Sequence, residues 1–247
     1  MISKAKVKWI KSLQLKKYRQ EEQCFVVEGI KGVQELLKSD YEIDLIASTK
    51  ESLSELSVPK TVKEGKLFEV SQRELESMSS LQSNDSALAV ARMKQTMSFP
   101  EPTDNYIIAL DDIRDPGNLG TIIRTADWFG VNDIVASNTT ADFYNPKTIS
   151  ATMGSFCRVN FFYTDLVSYL SSTNKKIYGA FLDGTDIHKL KFEGSGIVVI
   201  GNESNGVSPE VEALIKERVF IPGAGRAESL NAAIATAIIL DNIFRSK

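Results

Sequence analysis

The chain has 247 residues, 43% hydrophobic and 25% charged; that is globular composition, enough for one large domain plus a small one, and it excludes a mainly disordered chain. Two cysteines without CxxC spacing and a single histidine exclude a disulfide framework and argue against a Cys/His zinc site, so no metal is expected. No apolar run approaches the roughly 18 residues of a membrane span, and the lysine-rich start leads into no apolar signal core, so a cytoplasmic protein without membrane contact is expected.

The net charge is −3, yet the charge is unevenly placed. Residues 1–20 carry Lys4, Lys6, Lys8, Lys11, Lys16, Lys17 and Arg19 and no acid, so this stretch holds +7 and the remainder −10. Such a segment fits an electrostatic footprint for phosphate. It equally fits a helix whose Val7, Ile10 and Leu13 face a core while its lysines face water. After it, strands are predicted at 24–27, 43–47, 67–70 and 87–93, alternating with helices at 30–38, 51–56 and 73–78. That is a small α/β sandwich over residues 1–95. Pro100 and Pro102 forbid helix and ladder alike, which places a linker at 96–105.

The second domain, 106–247, alternates again. Strands are predicted at 106–110, 133–136, 158–162, 176–182, 197–201 and 218–221, and helices at 119–129, 146–153, 166–170, 209–216 and 229–244. Alternation of this kind predicts a mostly parallel sheet covered on both faces. Ligands then belong in the loops beyond the carboxyl ends of the strands.

Three of those loops concentrate Gly, Asn and charge. In the first, Asp115-Pro-Gly-Asn118-Leu-Gly120, Asn118 can cap the coming helix and Gly120 allows close approach of a second backbone. Arg124 follows among apolar residues, where an ion pair with Asp112 or Asp127 is the plain structural role. The second, Gly201-Asn-Glu203-Ser-Asn-Gly206, leaves a buried strand; Glu203 can be a solvated turn acid, Gly206 permits a left-handed turn, and Ser208-Pro209 reads as cap and first helical residue. The third runs from Ile221 to Asn231 into a helix opening near Ser229, whose free amides could hold a phosphate or carboxylate. Neither GxxxxGK[ST] nor a complete dinucleotide fingerprint occurs, which excludes the usual NTPase, kinase and Rossmann dehydrogenase parts. No GxSxG accompanies His188, which reads as a surface residue.

Taken in order, Asp115-Pro-Gly-Asn-Leu-Gly…Arg124-Thr-Ala, Gly201-Asn-Glu-Ser-Asn-Gly206 and Ile221-Pro…Glu228-Ser-Leu-Asn231 closely resemble the signature motifs of the SpoU, or TrmH-like, branch of the SPOUT RNA 2′-O-methyltransferases, over roughly 105–245. Lys17-Tyr-Arg…Phe25-Val-Val-Glu-Gly29 resembles the L30e-like substrate-binding domain that often precedes this catalytic domain. The resemblance implies a C-terminal α/β trefoil knot behind an L30e-like RNA-binding domain, and S-adenosylmethionine held mostly by backbone near Leu182, Gly201, Gly206, Ile221 and Leu230. The segment 223–226 is richer in glycine and charge than the family's usual pattern there. A homodimer is implied, with its sites near an interface to which Leu230, Ile234 and Ile238 contribute.

The implied reaction is attack of a ribose 2′-hydroxyl on the cofactor's methyl. By resemblance Arg124 is the catalytic centre, acting as or assisting the base, with Asn118, Glu203, Ser229 and Asn231 arranging it and the RNA phosphate. A guanidinium keeps its proton in proteins, so clamping a phosphate suits Arg124 better. Lys16, Lys17 and Arg19 are the RNA-binding candidates. The expected partner is structured RNA, with 23S-type rRNA preferred to tRNA because tRNA-specific relatives tend to carry helical extensions instead of this separate domain; no DNA is expected. The alternative is an RNA-binding module of the same fold that has lost catalysis.

Overall fold

Val7, Ile10 and Leu13 recur at helical spacing, and in the computed structural model, which describes residues 2–59, 62, 65–80, 84, 86–94 and 105–245, Ile10 and Leu13 are fully buried. The elements run α1 (Lys4–Ser12), α2 (Lys16–Glu22), β1 (Cys24–Glu28), α3 (Ile30–Leu37), β2 (Ile43–Ser48), α4 (Lys50–Leu53), β3 (Leu67–Glu69), α5 (Gln72–Met78) and β4 (Ala87–Arg92). They continue with β5 (Ile107–Asp111), α6 (Pro116–Trp128), β6 (Asp133–Ser137), α7 (Pro146–Thr152), β7 (Asn160–Thr164), α8 (Leu166–Ser172), β8 (Ile177–Phe181), β9 (Thr185–Asp186), β10 (Ile197–Gly201), α9 (Pro209–Glu212), β11 (Glu217–Phe220) and α10 (Ala232–Arg245). No helix among the described residues is long and apolar enough to cross a membrane.

The chain divides into two compact units, 1–95 with 144–157, and 96–143 with 158–247. The predicted linker lies, except for Asn105, outside the described residues. In the first unit β1-β4-β2-β3 form a sheet in which only β2 and β3 run parallel. The sequence pattern assigned 144–157 to the second domain, but the segment clusters with the first unit, and its rings show why. Phe25 meets Tyr144 at 4.6 Å and Phe156 at 5.7 Å between centroids, and Tyr41 meets Phe156 at 5.7 Å. Phe25 and Phe156 are almost wholly removed from water, a burial to which this ring cluster contributes.

In the second unit seven strands pair in the order β7-β6-β5-β10-β8-β11-β9, every pairing parallel. Central strands such as β10, Ile-Val-Val-Ile-Gly, are apolar throughout because helices cover both faces. The strand predicted at 158–162 sits two residues later, where Asn160 pairs with Asp133 in register and its Nδ2 donates to the Asp133 Oδ1 at 2.9 Å. Because all seven strands point one way, their exit loops share one edge. From β5 the chain moves to β6 on one side, and from β10 to β11 on the other. The β5/β10 pair is therefore the topological switch point, the place where open parallel sheets hold ligands.

Candidate active site

The β5 exit begins at Asp111, which is buried, and Asp112, a non-glycine residue at φ 60°. The unusual backbone at Asp112 is held from two sides: its N–H donates to Ser137 Oγ at 2.9 Å and its carbonyl accepts from Asn202 Nδ2 at 2.8 Å. Helix α6 then starts with Pro116 in its first turn, and the cap is Asp115, whose carboxylate accepts the Asn118 N–H at 2.9 Å. Asn118 is thus not the cap that the sequence allowed. Its side chain is left free to reach another loop.

There it meets Glu203 and Asn231, and the hydrogen-bond logic fixes every amide. Asn231 Oδ1 caps α10 by accepting from Ala233 N at 3.0 Å and Ile234 N at 3.3 Å. Its Nδ2 must then face away, and it donates to Asn118 Oδ1 at 2.9 Å. That turns Asn118 Nδ2 toward Glu203, whose carboxylate Oε1 accepts. The exits of β5, β10 and β11 are therefore joined through three side chains predicted from the sequence.

Two residues that sequence reasoning passed over hold the β10 loop in place. Asn202 Oδ1 accepts from Ser204 N at 2.9 Å and Asn205 N at 3.1 Å, folding the loop back so that Asn202 and Gly206 pair. At the far end, Asp111 Oδ2 accepts both Ser208 N–H and Ser208 Oγ–H at 2.7 Å. Ser208 precedes α9 as expected but makes no side-chain cap; its hydroxyl goes to Asp111 instead. Gly201 is required sterically, since a Cβ there would lie 2.4 Å from the Gly206 carbonyl carbon. The only sequence signal for these roles was the density of Asn, Asp and Ser at strand exits.

Arg124 is exposed on α6 and outside this junction. The acids offered as its structural partners are taken: Asp112 by Arg114, with Nη2 to Oδ2 at 2.9 Å, and Asp127 by Arg158, with Nη2 to Oδ2 at 2.8 Å. The Asp112 hydrogen bond and charge also hold the Arg114 proton more firmly than usual. Six residues separate Arg124 from Asn118, about 240° around a helix, so the two leave α6 from different faces. Arg124 shares its face with Trp128, which is 84% exposed. Ser229 is exposed and lies in the loop before α10, which begins at Ala232 and not near Ser229 as predicted.

Among the cofactor candidates, Gly201 and half-buried Ile221 sit at strand exits, while Leu182 and Leu230 are 69% and 45% exposed. Added Cβ atoms at Gly206, Gly223 and Gly225 would meet open space. These residues belong to the exit loops of β8, β10 and β11, which share one edge of the sheet. In the first unit Lys16 and Lys17 are exposed, Lys17 lying 3.8 Å from Glu21. Arg19 is corrected: it is 1% exposed, and its Nη1 donates to the Leu13 and Gln14 carbonyls at 2.8 Å each. It closes the α1–α2 turn and cannot present its charge to phosphate from there.

Comparison with known proteins accords with this fold. Residues 105–241 match the SpoU rRNA Methylase family, and residues 4–89 match the MRM3-like substrate binding domain. The chain belongs to the SpoU rRNA methylase family. A relative in Bacillus subtilis (strain 168), 23S rRNA (guanosine(2553)-2′-O)-methyltransferase RlmP, is 31% identical over 240 residues, which cover 95% of this chain and 94% of that one. A TrmH-family structure from Porphyromonas gingivalis superposes with TM-score 0.88 at 35% identity, over 100% of both chains. The AdoMet-bound rRNA methyltransferase of Sinorhizobium meliloti does so with TM-score 0.86 at 28% identity, over 99% of this chain and 96% of that one. Within this SpoU family member, the matched segment holds the whole junction of Asn118, Glu203 and Asn231.

Proposed function

We propose that this chain is an S-adenosylmethionine-dependent RNA ribose 2′-O-methyltransferase acting on 23S-type rRNA. The observation that carries the reading is the Asn231–Asn118–Glu203 relay at the β5/β10 switch point, supported by family membership and by near full-length likeness to a 23S rRNA methyltransferase. When bound, S-adenosylmethionine supplies a methyl group made electrophilic by its sulfonium. Leu182, Ile221 and Leu230 would hold its apolar portions, and the backbone near Gly201 and Gly206 its polar edges. The domain 1–95 would hold RNA, and the chain end would close the knot typical of the family. An rRNA substrate would place the protein in the cytoplasm.

The residues divide the work by their chemistry. Displacement at a methyl carbon depends on alignment, which a rigid amide relay provides. The second Glu203 oxygen has no partner among the described residues, and it is the proton acceptor the junction offers to a ribose hydroxyl. Arg124 supplies a fixed bidentate clamp for the adjoining phosphate. Since Arg124 leaves α6 beside exposed Trp128, and Leu230 and Ile234 are also exposed, the reading extends to a homodimer in which Arg124 acts at the subunit interface.

Purified protein incubated with methyl-labelled cofactor and unmodified 23S rRNA should yield 2′-O-methylated ribose, mapped by primer-extension stops. Arg124→Ala should lower the rate on the order of 10²-fold or more. Absence of transfer, or undiminished transfer by Arg124→Ala, defeats the catalytic reading. A catalytically lapsed RNA-binding module would bind RNA yet give no heat on titration with the cofactor.

A further inference from the structure

The +7 segment does not act as one uniform charge. Helix α1 turns Ile10 into the core and leaves Lys4, Lys6, Lys8 and Lys11 exposed, with Trp9 at the border between the two faces. Part of the Trp9 ring packs against the core of the first unit, beside Val7 and Phe68. The remainder lines a groove of about 440 Å³ with Lys6, Asp44, Leu45 and Arg92. That is within the roughly 300–1,000 Å³ of small-ligand sites.

Its lining is chemically specific. No hydrogen bond reaches the Trp9 indole N–H among the described residues. Lys6 Nζ stands 4.2 Å from the Phe68 ring centroid and so stays at the rim. Arg92 is oriented by its Nε on Asp44 Oδ2 at 2.7 Å and its Nη1 on the Glu22 carbonyl at 3.2 Å, while its side chain remains 48% exposed. An aromatic face, an unpaired donor, the Lys6 ammonium and the outer edge of an Arg92 guanidinium anchored on Asp44 lie in one groove and complement a nucleotide. A base can stack on the indole while its phosphate meets the cations. A second groove in the same unit is lined by Lys50, Glu51 and Glu69 and has the wrong sign for phosphate.

We propose that the Lys6–Trp9–Arg92 groove takes one unpaired nucleotide of the RNA, with its base stacked on Trp9 and its phosphate held by Lys6 and Arg92. This rests on the reading of the chain as an RNA methyltransferase and moves the RNA contact from Arg19, which is buried, to Lys6 and Trp9 on α1 and Arg92 at the end of β4. Stacking requires an unpaired base, so the groove would select loops or bulges over continuous duplex.

The test measures binding by the full chain to a short single-stranded RNA of mixed sequence, and to the same strand annealed to its complement. Trp9→Leu keeps apolar bulk for the core and removes the aromatic face; it should weaken single-strand binding roughly 10- to 100-fold, while Trp9→Phe stays near wild type. Lys6→Gln should flatten the dependence of log affinity on log salt by about 0.7, and Trp9→Leu should leave that slope unchanged. In a Trp128→Phe background, Trp9 is the one remaining tryptophan, and its emission should be quenched as RNA is added. Wild-type affinity in Trp9→Leu, an equal loss on duplex, unquenched Trp9 emission during binding, or no saturable single-strand binding by the wild type would each overturn the proposal. Because these are binding measurements, methyl transfer to rRNA with a silent Trp9→Leu removes the groove and leaves the activity. Failed methyl transfer with a responsive Trp9→Leu removes the activity and leaves the groove.

Discussion

Asn118 shows how a side chain is committed by what surrounds it. Once Asp115 caps α6 and Asn231 caps α10, the direction of each amide is determined, and Glu203 can only be an acceptor. Asn118→Asp therefore substitutes a carboxylate for the donor facing Glu203, setting like charges together. Its methyl-transfer rate is expected to fall on the order of 10²–10³-fold, further than in Asn118→Ala; equal losses in the two variants would contradict the relay. Buried protons matter at this scale as well. Burial pushes the Cys24 thiol from an ordinary 9.0 up to about 12, with Arg92 opposing less strongly, and burial likewise raises the Tyr41 and Tyr106 hydroxyls. These groups keep their protons in the folded chain at pH values where the unfolded chain has released them. Stability should accordingly decline as pH rises above about 9 and be unaffected by these groups below it. A denaturant midpoint that holds steady between about pH 8 and about pH 10 would refute this.

At the scale of elements, strands and helices were legible where one periodicity ruled. β10 reads as a buried strand from Ile-Val-Val-Ile, and it is one. The ends were less legible, because caps depend on competition: Asp115 displaces Asn118 as the cap of α6, and Asn231, two residues beyond Ser229, caps α10. Helix α7 was recognised as a helix, with Pro146 in its first turn, yet nothing local tells which core it joins. Its segment carries Phe156, which is 1% exposed against Phe25 and Tyr41. Phe156→Ala should cost about 3–5 kcal/mol, read as a lowered denaturant midpoint, whereas an exposed ring would cost almost nothing.

For the whole molecule, the deciding feature is a sheet whose strands are all parallel, so that distant loops share an edge and the switch point falls between β5 and β10. The same unit leaves Trp128, Leu230 and Ile234 exposed at 84%, 45% and 51%. Large exposed apolar side chains of this kind mark an interaction surface. If the homodimer is built there, Ile234→Glu should shift the protein toward monomer in analytical ultracentrifugation and reduce methyl transfer along with it. A wild type that sediments as a monomer, or a variant that remains dimeric, would exclude this face as the interface.

Sequence by itself determined the alternation of strand and helix, the three loops that carry polar and glycine-rich motifs, and the uneven placement of charge, because each depends on residues close together in the chain. It named Asn118, Glu203 and Asn231 without revealing that they touch, and it counted Arg19 as a free cation when its guanidinium closes a turn. Hydrogen bonds between Asp111 and Ser208, or between Asn202 and Asp112, join residues 97 and 90 positions apart. Only the stacking of parallel strands brings such pairs within reach, so tertiary structure alone decided which polar residues became a site and which became supports.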